Sequence, residues 1–258
     1  MSTATIVSPR AVRAAGARPG LARLTAVELR KMTDTRAGFW LLVATVALTA
    51  LVVVVAGFAL DEQDRTLRRI LSIAVQPATI VLPIVGILLV SSEWSQRTAL
   101  LTFTLVPDRT RVLIAKLLAS VVLALVALQI CLAAAALGTA VAAPGTADDW
   151  SLSAGLVGQV ALYVVLPMII GVGFGAMLLS SAPAIVLYFV LPTAWSALGS
   201  LEPLEAPARW LDQARTMEPM LEHAMSGTEW ARLGTTLALW MLVPLLVGLW
   251  RVTRSDVR

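Results

Sequence analysis

The sequence predicts an all-α integral membrane protein with six membrane-spanning helices and both termini in the cytoplasm. The first observation is composition: the 258 residues are 58% hydrophobic and only 14% charged, whereas soluble domains carry roughly 25% charged residues. The second is patterning, because long uncharged runs alternate with short charged segments. A soluble core of this length could not bury so much apolar sequence. The net charge of +4 fits arginines on the cytoplasmic side of a membrane, so it does not indicate nucleic-acid binding.

The first 36 residues precede the first apolar run. Residues 1–20 are rich in Ala, Ser, Pro, Gly and Arg, which predicts a disordered cytoplasmic tail. A signal peptide is disfavoured because the run that begins at Phe39 is longer than an h-region of roughly 7–15 residues. Residues 21–36 place leucines at helical spacing with basic residues between them, which predicts an amphipathic helix on the inner membrane surface. The alternative is a basic, solvated lead-in to the first span.

Hydropathy divides the rest of the chain into spans. A helix that rises about 1.5 Å per residue needs about 20 residues to cross roughly 30 Å of hydrocarbon. The uncharged run at 152–201 is too long for one crossing, and Pro183 suits the first turn of a new helix. Lys116 is expected to extend back to the headgroups. The predicted spans are residues 39–60, 70–92, 112–142, 155–180, 183–201 and 232–250, within a transmembrane domain of residues 37–251 that is followed by a cytoplasmic tail at 252–258.

Charge asymmetry orients the spans. Lys and Arg concentrate in the N-terminal region, in the loop at 91–116 and at the C-terminus, while most acidic residues fall in the other connections. The basic side is therefore expected to be cytoplasmic. The segment 202–229 lies on the outer side and is expected to form a short helix at or in the outer leaflet, with a disordered acidic loop as the alternative. The apolar face of that helix would hold Trp210, Leu211, Ala214 and Met217, and its polar face Arg209, Asp212 and Arg215.

Several kinds of chemistry are excluded or disfavoured by what the sequence lacks. A phosphate-binding loop needs a Gly-Lys pair, but Lys31 follows Arg30 and Lys116 follows Ala115. Glycines at 171, 173 and 175 lie in an apolar span, where they indicate close helix packing. The single cysteine and single histidine exclude an intrachain disulfide and a multi-histidine metal site. No catalytic residue and no metal ligand is therefore expected in this chain.

The loop at 91–116 carries the most specific pattern in the sequence. Glu93-Trp94, then Arg97-Thr98, then Pro107-x-Arg109-x-Arg111 and Lys116 resemble the signature of the type-2 ATP-binding-cassette (ABC) exporter permeases. The segment Glu28-Leu29-Arg30-Lys31 before Arg36 is similar to the entry helix of that family. One departure is Arg97, where many members place glycine before the threonine.

The resemblance implies a mechanism and a set of partners. Two such permeases pair in the cell membrane, and separate ATPase subunits, which bind ATP and magnesium, dock on the cytoplasmic loop. The chain itself would then hold no cofactor and would not be an enzyme. The residues expected to couple it to the ATPase are Glu93, Trp94, Arg97, Thr98, Phe103, Pro107, Arg109 and Arg111, and those of the interfacial helix are Glu28, Arg30, Lys31 and Arg36.

Three alternatives remain open beside that reading. The charges at 91–116 could merely end helices and anchor headgroups. The chain could be a membrane-embedded binding or assembly protein that transports nothing. An intramembrane enzyme is the third, although no His, Lys or Asp accompanies the serines of the spans at 155–180 and 183–201.

Overall fold

The computed structural model describes residues 20–96, 108–142 and 150–254, and these residues fold into helices without a strand. Short 3₁₀ turns lie at Glu62–Asp64 and Glu202–Leu204, and one π-helical turn lies at Ala238–Leu242. The α-helices are α1 (Leu21–Asp34), α2 (Arg36–Ala59), α3 (Leu67–Ala74), α4 (Gln76–Ser95), α5 (Arg109–Ala142), α6 (Ala154–Leu178), α7 (Ser181–Leu198), α8 (Glu205–Leu211), α9 (Gln213–Met217), α10 (Pro219–Glu222), α11 (Gly227–Leu237) and α12 (Val243–Arg254).

Six helical segments in the described part of the chain are long and apolar enough to cross a membrane, which confirms the predicted number of spans and is consistent with a multi-pass membrane protein. They are Arg36–Ala59, Leu67–Ser95, Arg109–Ala142, Ala154–Leu178, Ser181–Leu198 and Gly227–Arg254. Most boundaries differ from the prediction by a few residues because polar caps extend the helices. Thr35, for example, accepts a hydrogen bond from the backbone N–H of Gly38, and Ser226 forms a capping box with Glu229.

The bundle is built around α4 and α6. The spans that contain them are the most buried of the six, and α7 is the least buried. Close approach of the two central helices depends on glycine: a Cβ at Gly171 would lie 2.5 Å from the carbonyl oxygen of Pro83, and one at Gly175 would lie 2.8 Å from that of Ile87. The predicted packing role of these glycines is confirmed. Small residues let backbones approach in this way in membrane helices.

The bundle has two ends, which are named here by the segments that lie at each of them. At the loop end, the chain leaves α4 at Ser95 and enters α5 at Arg109. There, Ser91 and Ser181 share a hydrogen bond of 2.8 Å, and Arg251 donates to the carbonyl of Met177 at 2.6 Å. The helix α1 packs against the same end. The opposite end holds the start of α3, the start of α6 and the segment 202–229.

The segment 202–229 corrects the expected single helix. Instead of one helix with Trp210, Leu211 and Met217 on a common face, the chain forms the separate short helices α8, α9 and α10. The break occurs at Asp212, whose carboxylate accepts hydrogen bonds from the backbone N–H groups of Ala214 and Arg215 and so starts α9. Asp212 is buried and not on a polar face.

Candidate functional site

The helix α1 lies at the loop end and packs against α2, α4 and α5. Its buried positions are Glu28 and Met32, one helical turn apart, while Arg23 and Arg30 are exposed. The turn into α2 is tight, because a Cβ on Gly38 would overlap the carbonyl oxygen of Met32. The buried face of α1 thus contains the carboxylate of Glu28 as well as the apolar side chain of Met32.

Four charged side chains meet where α1, α4 and α5 come together; we call Glu28, Lys31, Glu93 and Lys116 the four-charge cluster. Lys116 Nζ donates to Glu28 Oε2 at 2.6 Å and lies 3.0 Å from Glu93 Oε1. Lys31 Nζ lies 2.7 Å from both Glu28 Oε1 and Glu93 Oε1. The two ammonium groups and the two carboxylates alternate in space. Because their numbers are equal, their charges balance.

The interior of the cluster is shielded from solvent. The side chains of Lys116, Glu28 and Glu93 are 4%, 5% and 9% exposed, whereas that of Lys31 is 38% exposed. Lys116 also donates to the carbonyl oxygen of Leu89 at 3.0 Å, so three acceptors surround its ammonium group. A buried charge is tolerated when it is paired and its hydrogen bonds are satisfied, and both conditions hold here.

Lys31 remains protonated at neutral pH in this setting. Partial burial would lower its pKa, but the neighbouring carboxylates of Glu28 and Glu93 outweigh burial and hold the pKa above its ordinary value. A raised lysine pKa means that the ammonium contributes stability at all pH values below its unfolded pKa and loses that contribution as pH rises through the folded one. A change of pH within the physiological range therefore does not alter the charge of the cluster by deprotonating Lys31.

One expectation from the sequence is corrected by this geometry. Lys116 does not extend to the headgroups, because it lies on the face of α5 that meets α1 and α4. Glu93, which was expected to couple the chain to the ATPase, has its carboxylate buried in the cluster beside that of Glu28. The signal was available in the sequence: Lys116 is the only charge between Val112 and Ala147, and a lone charge in a span calls for a partner.

The other predicted site residues either have defined contacts, lie at the periphery or fall outside the described residues. Trp94 packs against a small apolar cluster with Val90 and Leu113, and the side chain of Arg109 donates to the carbonyl oxygen of Val252 at 2.7 Å. The remaining described ones are peripheral: Arg111 is half-buried, Arg30 pairs with Asp34, and Arg36 is exposed. Arg97, Thr98, Phe103 and Pro107 lie outside the described residues.

The structure thus brings two predicted regions together, the entry helix and the end of the second span, through a lysine that was not among the predicted site residues. No protein-family model matches this sequence, and no curated protein matches it.

Proposed function

We propose that the chain is the membrane-spanning permease subunit of an ABC exporter, which forms the substrate pathway as a dimer and is driven by separate ATPase subunits docked on the cytoplasmic loop 91–116. The observation that supports this most is the four-charge cluster beside that loop. It joins the entry helix, the end of the second span and the start of the third through ion pairs of 2.6–3.0 Å.

The cluster gives the loop a mechanical connection to the spans. Moving α1 or the end of α4 by itself would separate buried opposite charges, and leaving one member of a buried pair without its partner costs about 3–5 kcal/mol. The three helices therefore move together when the loop between Ser95 and Arg109 is pushed or pulled. This is the property that a subunit powered from outside requires, because the work done on the loop must reach the membrane-spanning helices.

The distribution of charge supports an orientation in the cell membrane with the loop end in the cytoplasm. Acidic residues, among them Asp61, Glu62 and Asp64, accompany the arginines of the opposite end. The described cations at the loop end are Arg23, Arg30, Lys31, Arg36, Arg109, Arg111, Lys116, Arg251 and Arg254, against Arg65, Arg68, Arg69, Arg209, Arg215 and Arg232 at the opposite end.

Co-purification from the native host tests the assignment. An ATPase subunit with a phosphate-binding loop is expected to accompany the tagged chain, and Arg97→Ala with Phe103→Ala should lower its recovery by about tenfold or more, since interface anchors of these types are typically worth more than 1 kcal/mol each. Size-exclusion chromatography of the variant checks that its folding is unchanged. Mass spectrometry of the eluate gives the recovery.

The matched control is Arg209→Ala, an exposed arginine at the opposite end, which should leave recovery unchanged. Equal recovery with the loop variant and the control would reject docking on the loop. Absence of any ATPase from the wild-type eluate would instead favour the non-transporting binding or assembly protein.

A further inference from the structure

The opposite end of the bundle contains a large cavity. Its volume is about 1130 Å³, and it opens between α3–α4, α6, α7 and the short helices α9 and α10. Pockets for drug-sized ligands are roughly 300–1,000 Å³, so this cavity could hold a larger molecule or part of a long one. It lies at the other end of the spans from the four-charge cluster and shares no residue with it.

The mouth of the cavity carries both signs of charge. Arg68 and Arg69 come from the first turn of α3, Glu218 joins α9 to α10, and Glu222 is the last residue of α10. All four are exposed, and none of them forms an ion pair with another described residue. Opposite charges that line one space without meeting can be satisfied together by a ligand that has an anionic and a cationic group.

The deeper wall is aromatic and apolar. Tyr163 and Pro167 on α6 line it together with Tyr188 and Phe189 on α7. The α6 helix begins at Ala154, so at about 1.5 Å per residue Pro167 lies roughly 20 Å from the end of the helix. The cavity therefore joins a charged mouth to an aromatic and apolar wall on α6 and α7, and Ser72, Gln76 and Thr79 line the side formed by α3 and α4. This combination suits an amphiphile that lies parallel to the spans.

One polar atom in the cavity lacks a partner within the described residues. Gln213 lines the cavity and its side chain is hydrogen-bonded to Tyr188, but its buried Oε1 has no donor among the described residues. A buried acceptor without a donor is unfavourable, and a donor group on a ligand would satisfy it. The position of Gln213, between the charged mouth and the aromatic wall, suits the polar part of an amphiphile near its junction with the chain.

We propose that this cavity binds a zwitterionic amphiphile of the lysophospholipid type. The phosphate lies against Arg68 and Arg69, which can hold it through bidentate hydrogen bonds, and the ammonium lies against Glu218 and Glu222. The acyl chain follows the wall of Tyr163 and Phe189. As a step in export this rests on the proposed function, but binding itself needs no ATPase.

The test is native mass spectrometry of the full chain in detergent without an ATPase. The probes are lysophosphatidylcholine, lysophosphatidylglycerol with the same acyl chain, and glycerophosphocholine, which has the headgroup without the chain. We expect lysophosphatidylcholine to bind about tenfold more tightly than either of the others, since lysophosphatidylglycerol lacks the cation that the glutamates attract and glycerophosphocholine lacks the buried chain.

Charge variants test which side chains hold the phosphate of the headgroup and which hold its ammonium group. Arg68→Gln with Arg69→Gln should weaken both lysolipids about tenfold, whereas Glu218→Gln with Glu222→Gln should weaken only lysophosphatidylcholine and so abolish the preference. Glu62→Gln with Asp64→Asn, two exposed acids at the same end that do not line the cavity, should change nothing. All six side chains are exposed, so these variants are expected to fold.

Three results would overturn the proposal. They are equal binding of the two lysolipids, equally tight binding of the chainless headgroup, and a dimer that binds no probe because a second copy fills the cavity. Because the assay contains no ATPase, failure of binding leaves the co-purification result standing. Binding in this assay, together with the absence of any ATPase from the wild-type co-purification, would reject the permease assignment and keep the site.

Discussion

Lys116→Met is expected to lower the free energy of unfolding by about 3 kcal/mol, the lower part of the range for breaking a buried ion pair. The change removes one of the two positive charges that balance Glu28 and Glu93, while both carboxylates stay buried. The lower figure applies because Lys31 also lies 2.7 Å from each carboxylate. Reversible unfolding of the purified chain in mixed detergent micelles, followed by circular dichroism, measures the difference.

A compensating variant separates charge balance from loss of packing. Lys116→Met combined with Glu28→Gln restores an equal number of positive and negative charges in the cluster, and should recover more than half of the lost stability. Lys31→Met should cost less than Lys116→Met, because the side chain of Lys31 is 38% exposed and exposed pairs contribute little. If Lys116→Met were neutral, or if the double variant were the least stable of the three, the ion pairs would not be holding α1, α4 and α5 together.

Gly171→Ala is expected to destabilise the bundle by about 3 kcal/mol, near the upper end of the range for overpacking. The added Cβ would lie 2.5 Å from the carbonyl oxygen of Pro83 and 2.9 Å from its Cα. Those atoms belong to the backbone of a central span and cannot rotate away, so α4 and α6 would have to separate along their contact. The same unfolding measurement reports the loss.

Gly158→Ala provides a control on the same helix. Nothing lies within 4 Å of a Cβ at Gly158, so only helix propensity changes, and alanine should stabilise the helix by about 0.5–1 kcal/mol. Opposite signs for the two substitutions would be the signature of close α4–α6 packing. A similar loss at both positions would show instead that α6 is sensitive to any added methyl group.

Much of the fold follows from the sequence because a bilayer imposes a simple rule. Six apolar runs of sufficient length predict six spans, and the structure has helices at each of them. The glycines at 171 and 175 also indicated close packing, since no other role suits three alternate glycines in an apolar helix. These features depend on local composition, which one sequence contains.

The pairing of distant charges could not be predicted in the same way. Lys116 contacts Glu28 across 88 positions of the chain, and helix rotation decides whether a lysine near the end of a span meets a headgroup or a carboxylate. Asp212 illustrates the same limit on a shorter scale. Its spacing from Arg209 and Arg215 suits the polar face of one helix. Its carboxylate instead accepts hydrogen bonds from backbone N–H groups, which ends one helix and starts the next.

Site-specific cross-linking from the loop end tests the central claim most directly. With Cys131→Ala removing the native thiol, Gln96→Cys places a cysteine on an exposed residue at the end of α4, and Glu62→Cys places one on an exposed residue at the opposite end. In intact cells, the account predicts that Gln96→Cys cross-links to an ATPase subunit and resists a membrane-impermeant thiol reagent, while Glu62→Cys is labelled by that reagent and forms no such cross-link. Labelling of Gln96→Cys from outside the cell, or cross-linking of the ATPase to Glu62→Cys, would contradict it.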